Sequence, residues 1–140
     1  STALRAGADL ALDGAGADHA VVVAGDLNDE TEAATTQILL GPGGSEIGTP
    51  GFDRPDKGDA TRLWNLAPKI PEAERYSRVY QGRNELIDHI LVSKAILDKV
   101  TAVSAGSAKL GQTPSVNDDP KSRKDKPGSD HRPVVADFEL

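Results

Sequence analysis

Acidic, amide and imidazole side chains occur at three places where an apolar run of the chain begins or ends. In chain order they are Asp26, Asn28, Asp88, Asp130 and His131. A carboxylate binds hard cations and can take up a proton, an amide can hold an oxygen, and an imidazole changes charge near neutral pH. We therefore ask which elements would bring these three places together.

The first place follows a predicted strand. Residues 20–24 are apolar and rich in Val, and the next five residues include a Gly and three polar residues, which predicts a buried strand. In open α/β sheets, ligands bind beyond the carboxyl ends of such strands. Asp26 and Asn28 are two residues apart and are expected to point the same way, where they can hold a metal-bound water and a phosphate oxygen. The alternative is a polar turn in which Asn28 or Asp29 caps the next helix.

The second place is Asp88, inside the apolar segment 86–92. An ionised carboxylate in such a segment is costly unless it is paired or bound to a metal. We therefore expect an imidazolium or a metal ion beside Asp88. The adjacent His89 points to the opposite face of a strand and is predicted to be a packing residue, and His19 is predicted to have no chemical role.

The composition is that of an ordinary globular domain. The 140 residues are 37% hydrophobic and 27% charged, enough for one domain with a core. The absence of Cys excludes disulfides and zinc fingers, and no apolar run approaches the ~18 residues of a membrane helix. Because the chain contains no Met, we interpret it as a piece of a longer protein or as a processed one. The compartment is not indicated.

The net charge of -6 is not that of a protein that coats nucleic acid nonspecifically. Residues 1–53 carry 1 basic and 9 acidic side chains, and residues 54–140 carry 15 basic and 13 acidic ones. A cationic cofactor and a local basic rim would still permit an anionic substrate.

The apolar periodicity predicts an α/β chain whose strands end at the three polar places. Trp64 is expected to anchor the core, and residues 41–59 and 105–128 are predicted to be loops. The predicted helices cover residues 2–13, 29–40, 60–67 and 93–97. The predicted strands cover residues 20–24, 76–80, 85–92, 100–104 and 133–140, with 76–80 and 85–92 as a hairpin.

The sequence motifs around the three polar places resemble those of the endonuclease/exonuclease/phosphatase superfamily. This is the fold of deoxyribonuclease I, abasic-site endonucleases of the exonuclease III type, sphingomyelinases and inositol polyphosphate phosphatases. The resemblance covers nearly the whole chain, and the stretch 76–82 is most similar to bacterial nuclease-like members. The motifs, in the family's order and rough spacing, are Gly25-Asp26-Leu27-Asn28, Ile87-Asp88-His89-Ile90-Leu91 and Ser129-Asp130-His131-Arg132-Pro133-Val134.

The resemblance implies a four-layer α/β/β/α sandwich built of two similar halves. Residues 1–140 would be the C-terminal half, with one mostly antiparallel sheet and helices on one side. The N-terminal half would be absent from the chain, and with it an Asn, a metal-binding Glu and a further His. The exposed apolar sheet face is then expected to pair with the missing half or to form a homodimer.

The resemblance also implies an enzyme that hydrolyses a phosphodiester with Mg²⁺ or Mn²⁺, first of all a nuclease. Asp26 would bind the metal and orient or deprotonate the attacking water, and Asp130 would be a second metal ligand. Asn28 would hold a phosphoryl oxygen. His131 would contact the phosphate or protonate the leaving group, with Asp88 fixing its tautomer and keeping it cationic.

Basic side chains near Asp130 and His131 would contact a nucleic acid substrate. They include Arg132, Lys124 and Lys126, and such contacts would make binding sensitive to salt. The alternative is that this basic run is a solvated loop. A phosphatase or lipid phosphodiesterase of the same superfamily, a non-catalytic protein and a half-domain that is inactive in isolation remain open alternatives.

Overall fold

The computed structural model of the chain describes residues 1–119, 121 and 128–140, and it is a mixed α/β structure. The helices are α1 (Thr2–Leu12), α2 (Ala34–Leu40) and α3 (Lys94–Leu97). The strands are β1 (Val22–Asp26), β2 (Trp64–Asn65), β3 (Arg78–Tyr80), β4 (Arg83–Glu85), β5 (Asp88–Val92), β6 (Val100–Ala105), β7 (Ser115–Val116) and β8 (Val134–Phe138). Short 3-10 turns cover Lys57–Ala60, Ala67–Lys69, Glu72–Glu74 and Ala108–Leu110.

The described strands form three small sheets. In the first, of order β1-β5-β2, both pairs are antiparallel. The second has the order β4-β3-β7, with β3 antiparallel to β4 and parallel to β7. The third is the antiparallel pair β6-β8. The predicted α/β class with mostly antiparallel pairing is thus confirmed, whereas a four-layer sandwich with a second half stays a prediction.

Strand β5 separates the two parts of the core, because its alternate side chains point to opposite faces. Leu91 is fully buried with apolar side chains of α1 and α2, among them Leu12 and Leu39. Val92 is also fully buried, but it packs in the other cluster with Trp64 and Val103. The central strand therefore has apolar neighbours on both faces and holds its polar first residue at one end.

Strand β1 covers Val22–Asp26 instead of the predicted residues 20–24, so that Asp26 is its last residue, and it is less buried than its apolar sequence indicated. It lies at the edge of its sheet, and Val22 is 51% exposed. Only the face bearing Val23 packs against the helices, in the cluster around Leu91. The opposite face, with Val22, Ala24 and Asp26, lies open in the part of the chain described.

Two of the predicted helices are corrected by the structure. The helix predicted for residues 29–40 begins only at Ala34, after a stretch of turns. The helix predicted for residues 60–67 was wrong, because Trp64 and Asn65 form β2 and pair with β5. A strand of two residues is too short to show a periodic pattern of apolar residues in the sequence. It forms because the neighbouring strand β5 pairs with it. Trp64 is buried in the core as expected, and its Nε1 donates to the Ser45 carbonyl at 2.7 Å.

The predicted hairpin is also arranged differently. The turn at Gln81 and Gly82, both at positive φ, joins β3 to the short β4, and β5 belongs to another sheet. Leu86 and Ile87 lie between β4 and β5, outside both strands, and are both buried. The predicted loop 105–128 contains β7, although residue 120 and residues 122–127 lie outside the described part. Among the described residues, no helix is long and apolar enough to cross a bilayer.

Candidate active site

The register of β1 and β5 places Asp26 directly opposite Asp88. The pairing continues one step beyond the strand, where the Leu27 amide donates to the Ile87 carbonyl at 2.9 Å. Directly opposed residues of an antiparallel pair have their side chains on the same face. The two carboxylates therefore lie together at the end of the sheet.

His131 completes this group from the segment before β8. Its Nδ1 lies 2.7 Å from Asp88 Oδ2, and both side chains are about one-quarter exposed, at 25% and 24%. An ionised carboxylate only accepts hydrogen bonds, so in this pair the imidazole carries a proton on Nδ1. Ligand atoms of Asp26, Asp88 and His131 all lie within 4.8 Å of one another.

Backbone contacts hold His131 from both sides. The amide of His131 donates to Ser129 Oγ at 3.1 Å, and the amide of Arg132 donates to the Ser77 carbonyl at 2.8 Å. The imidazole Nε2, which faces away from Asp88, lies 3.9 Å from Asp130 Oδ1. Asp130 is thus adjacent to the group, and its predicted role as a metal ligand stays a prediction.

Asn28 adjoins Asp26 through the backbone. The backbone amide of Asn28 donates to Asp26 Oδ1 at 2.8 Å. The φ of Asn28, 55°, lies in the left-handed region that Asn tolerates. Because Asn28 has left the strand conformation, the alternation on which its predicted direction rested does not apply to it. The capping alternative was wrong, since the N-cap of α2 is Ala33 rather than Asn28 or Asp29.

His89 is a packing residue, as predicted. It is only 2% exposed, its Nε2 lies 2.8 Å from the Asp29 carbonyl, and its Nδ1 lies 3.2 Å from Asn65 Nδ2. The Asn65 amide can only donate to Nδ1, so Nε2 carries the proton and donates to Asp29. His89 thus holds the loop after β1 against β5 from the face opposite Asp88.

The guanidinium of Arg132 makes two contacts within the protein. It stacks over the ring of Tyr76 at 3.9 Å from the ring centroid and donates to the Ala105 carbonyl. A substrate contact by Arg132 stays a prediction. Lys124 and Lys126, the other predicted substrate-binding residues, lie outside the described residues.

Two cavities adjoin the imidazole of His131. A cavity of about 690 Å³ is lined by His131, Arg132, Ser129 and residues 105–107 and 110–114, among others. A second cavity, of about 440 Å³, lies over Ala24 and Asp88 and also reaches His131. A bound molecule at the Asp26–Asp88–His131 group would therefore have room beside the imidazole.

An ion-pair network joins β3 and β4. Arg78 and Arg83 each donate to Glu85 at 2.9 Å. Hydrogen bonding from Arg78, with a further contribution from Arg83, lowers the pKa of the buried Glu85 carboxyl. This network ties β3 to β4 directly next to Ser77, whose amide donates to the Glu85 carbonyl.

The donor set fits a hard divalent cation. Carboxylate oxygens are what Mg²⁺ and Mn²⁺ prefer, and Asp26 supplies one that is exposed. Nδ1 of His131 is engaged with Asp88, so this nitrogen is held in a hydrogen bond rather than offered to a cation. Asp26 would hold the cation, a second ligand at Asp130 stays a prediction, and Mg²⁺ commonly keeps several waters as its other ligands.

Comparison with known proteins gives one match. The sequence model of the endonuclease/exonuclease/phosphatase family matches residues 2–131, which include Asp26, Asp88 and His131. No curated protein and no solved structure matches the chain. Members of the matched family generally hydrolyse phosphoesters and typically depend on a divalent metal. Because this match spans nearly all of its residues, the chain belongs to the endonuclease/exonuclease/phosphatase family.

Proposed function

We propose that this chain takes part in magnesium-dependent hydrolysis of a phosphodiester, first of all in a nucleic acid. The observation that carries the proposal is the 2.7 Å hydrogen bond from His131 to Asp88, with Asp26 opposite Asp88. An imidazole oriented by a buried or half-buried carboxylate is a common arrangement for proton transfer. Family membership supports phosphoester hydrolysis as the reaction class.

Each residue of the group has a role in the proposed reaction. Asp26 accepts the proton of the attacking water and orients that water toward phosphorus. Asp88 holds the proton on Nδ1 of His131, so that Nε2 of the imidazolium can donate a proton to the leaving oxygen. Asn28 donates its side-chain amide to a phosphoryl oxygen. A divalent cation held by Asp26 and Asp130 would neutralise charge on the phosphate, the main requirement of phosphoryl transfer.

We also propose that residues 1–140 form the C-terminal half of the family domain. One fact supports this proposal. The β1 face with Val22 and Ala24 is open in the described part of the chain. A second half that packs on this face would cover it and add ligands, and a homodimer through the same face is the alternative.

Within the reaction class, we favour a nuclease over a phosphatase or a lipid phosphodiesterase. The cavity of about 690 Å³ beside His131 is also lined by Ser129 and Gly128, and Gly128 comes two residues after the basic run 121–126 in sequence. Cationic side chains in that run would bind the phosphates on either side of the scissile one. Binding of this kind requires a polymeric substrate.

The test is a panel of phosphoesters in Mg²⁺ and in EDTA. Plasmid DNA, RNA, a phosphoinositide and bis-p-nitrophenyl phosphate are incubated with the 140-residue chain and with the protein extended upstream. The expected result is EDTA-sensitive cleavage of nucleic acid by the longer protein. The variant His131→Gln should abolish it, and His19→Gln, the same change at an exposed histidine outside the group, should not.

The outcomes of the panel separate the proposals. Hydrolysis of only the phosphoinositide would overturn the nuclease assignment but keep the reaction class. Cleavage by the 140-residue chain alone would contradict the half-domain proposal. Equal activity of His131→Gln and His19→Gln would contradict the proposed role of His131.

A further inference from the structure

We propose that Ser77, a fully buried residue outside the catalytic group, is the positioning residue that sets Asp88 against His131. The inference deepens the proposed function, because it concerns the geometry of the same pair. Ser77 hydrogen-bonds to both of the chain segments that carry the pair, although Asp88 and His131 are 43 residues apart in sequence. Its side chain contacts the segment that carries Asp88, and its backbone contacts the segment that carries His131.

The hydroxyl of Ser77 fixes the start of β5. Its Oγ accepts from the amides of Ile87 and Asp88, both at 3.1 Å, and Ser77 is 0% exposed. These two amides lie where the chain leaves β4 and enters β5. Buried amides need an acceptor, and here one side-chain oxygen serves two of them. The hydroxyl therefore determines where the backbone of Asp88 lies as the strand begins.

The backbone of Ser77 fixes the segment that carries His131. Its carbonyl accepts from the Arg132 amide at 2.8 Å, and its own amide donates to the Glu85 carbonyl at 2.9 Å. The same segment is held again where Arg132 stacks on Tyr76, the residue before Ser77. A shift of Ser77 would thus move the backbone on both sides of the 2.7 Å hydrogen bond between His131 and Asp88.

The chain contains a matched control in Ser93. It is also 0% exposed, and it follows β5 directly, at the end opposite Asp88. Its Oγ accepts from the Val21 amide at 2.9 Å and donates to the His19 carbonyl at 2.6 Å. Replacing either serine by Ala removes two side-chain hydrogen bonds to backbone groups at one end of the β1–β5 pair. Only the replacement of Ser77 removes them next to the Asp88–His131 pair.

The experiment measures the tautomer of His131 by nitrogen NMR of the 140-residue chain, at a pH where the imidazole is neutral and without added metal. The chain has three histidines, so the signals are few, and His131→Gln identifies the one of interest. Asp88 favours the tautomer protonated on Nδ1. Ser77→Ala should lower the ratio of this tautomer to the other by about tenfold. A change of this size corresponds to the free energy of about one hydrogen bond to a charged group. Ser93→Ala should leave the ratio as in the wild type.

Two further variants keep the test decisive if Ser77→Ala does not fold. Ser77→Cys keeps a similar shape with a much weaker acceptor and should shift the ratio in the same direction. Ser77→Thr keeps the acceptor oxygen and should retain the wild-type ratio. A wild-type ratio in Ser77→Ala or Ser77→Cys, or an equal shift in Ser93→Ala, would overturn the positioning role.

A kinetic readout separates this inference from the proposed function. In the protein that hydrolyses the phosphoester, Ser77→Ala should lower kcat by about 10- to 100-fold with KM unchanged, as for other residues that orient a catalytic ligand. Ser93→Ala should leave kcat unchanged. If no phosphoester is hydrolysed by the wild type but the tautomer shift is confined to Ser77 variants, the positioning role stands and the proposed function falls.

Discussion

Asp26 and Asp88 are directly paired residues of two antiparallel strands, with their carboxylates on the same face of the sheet. Like charges in this relationship destabilise a sheet. His131 offsets part of this repulsion, because its Nδ1 lies 2.7 Å from Asp88. Asp26 keeps its carboxylate in an exposed position beside the pair, where a cation would offset the remainder.

Removing the charge of Asp26 should have opposite effects without and with metal. Without metal, Asp26→Asn should raise the free energy of unfolding by about 0.2–1 kcal/mol, because the opposed like charges are gone. With Mg²⁺ at about ten times its Kd, the wild type should gain about 1.4 kcal/mol, and the variant should gain much less. Urea unfolding followed by the fluorescence of the single Trp measures both effects.

Asp137→Asn is the control for this prediction. Asp137 is also an exposed aspartate on a strand, but the residue opposite it is Ala102. This variant should show neither the gain in stability nor the loss of the Mg²⁺ effect. If Asp26→Asn behaves like Asp137→Asn, the cation is not bound at Asp26.

Replacing Asp88 with Asn should impair turnover more than substrate binding. The amide keeps the shape of the side chain but replaces the carboxylate that orients the imidazole of His131 through the hydrogen bond at Nδ1. We expect kcat to fall by about 100-fold or more with little change in KM, and circular dichroism to stay the same. A variant with normal kcat would show that the hydrogen bond between Asp88 and His131 has no part in the reaction.

Arg62 should be the most important charged residue for folding of the loop before β2. It is 2% exposed, and its guanidinium donates to Asp56 and Asp59 and to the carbonyls of Pro42 and Gly43. Arg62→Met leaves the largely buried Asp59 without its cationic partner. We expect this variant to have an unfolding free energy about 3–5 kcal/mol lower than the wild type. Arg54→Met, at an exposed arginine in the same loop, should change it by less than about 0.5 kcal/mol. Equal losses in urea unfolding would contradict this account.

The protein should lose stability in acid through Glu85. Arg78 lowers the pKa of this carboxyl in the folded state below the value of about 4.3 for an unfolded chain. The folded protein therefore binds fewer protons, so the stabilising effect is complete above about pH 4.3 and is lost as the pH falls through the folded pKa. Glu85→Gln should reduce the fall in unfolding free energy between about pH 5 and pH 3.

Glu85→Gln should reduce the loss of stability in acid but should not abolish it. Hydrogen bonding from Arg62 also lowers the pKa of Asp56, which acts in the same direction. Unfolding in urea at several pH values measures the slope in each variant. An unchanged slope in Glu85→Gln would show that the ion pairs of Glu85 do not contribute to acid sensitivity.

The site group was predictable because its residues lie in or beside apolar runs and because the motifs around them resemble those of a known family. A carboxylate at Asp88 in a buried strand requires a partner, and the structure supplies His131. The strands β1, β5 and β8 were likewise recognisable from their apolar residues. The composition of these segments carries the information, so local sequence was enough to identify them.

Other features depend on tertiary contacts that no local pattern records. Ser77 lies between Tyr76 and Arg78 in a stretch that reads as an ordinary strand, and its hydrogen bonds to Asp88 and Arg132 arise only after folding. Strand β2 exists because β5 offers a free edge to it. The exposure of Val22 reflects the edge position of β1, which an apolar run does not reveal.

The most direct test of the central claim is the rate of Mg²⁺-dependent plasmid cleavage by the upstream-extended protein, with His131→Ala and His19→Ala measured beside it. We expect the wild type and His19→Ala to cleave at similar rates, EDTA to stop both, and His131→Ala to be slower by at least about 100-fold with the fold intact. Near-full metal-dependent cleavage by His131→Ala would contradict the account, since the Asp26–Asp88–His131 group would then not be where the reaction occurs.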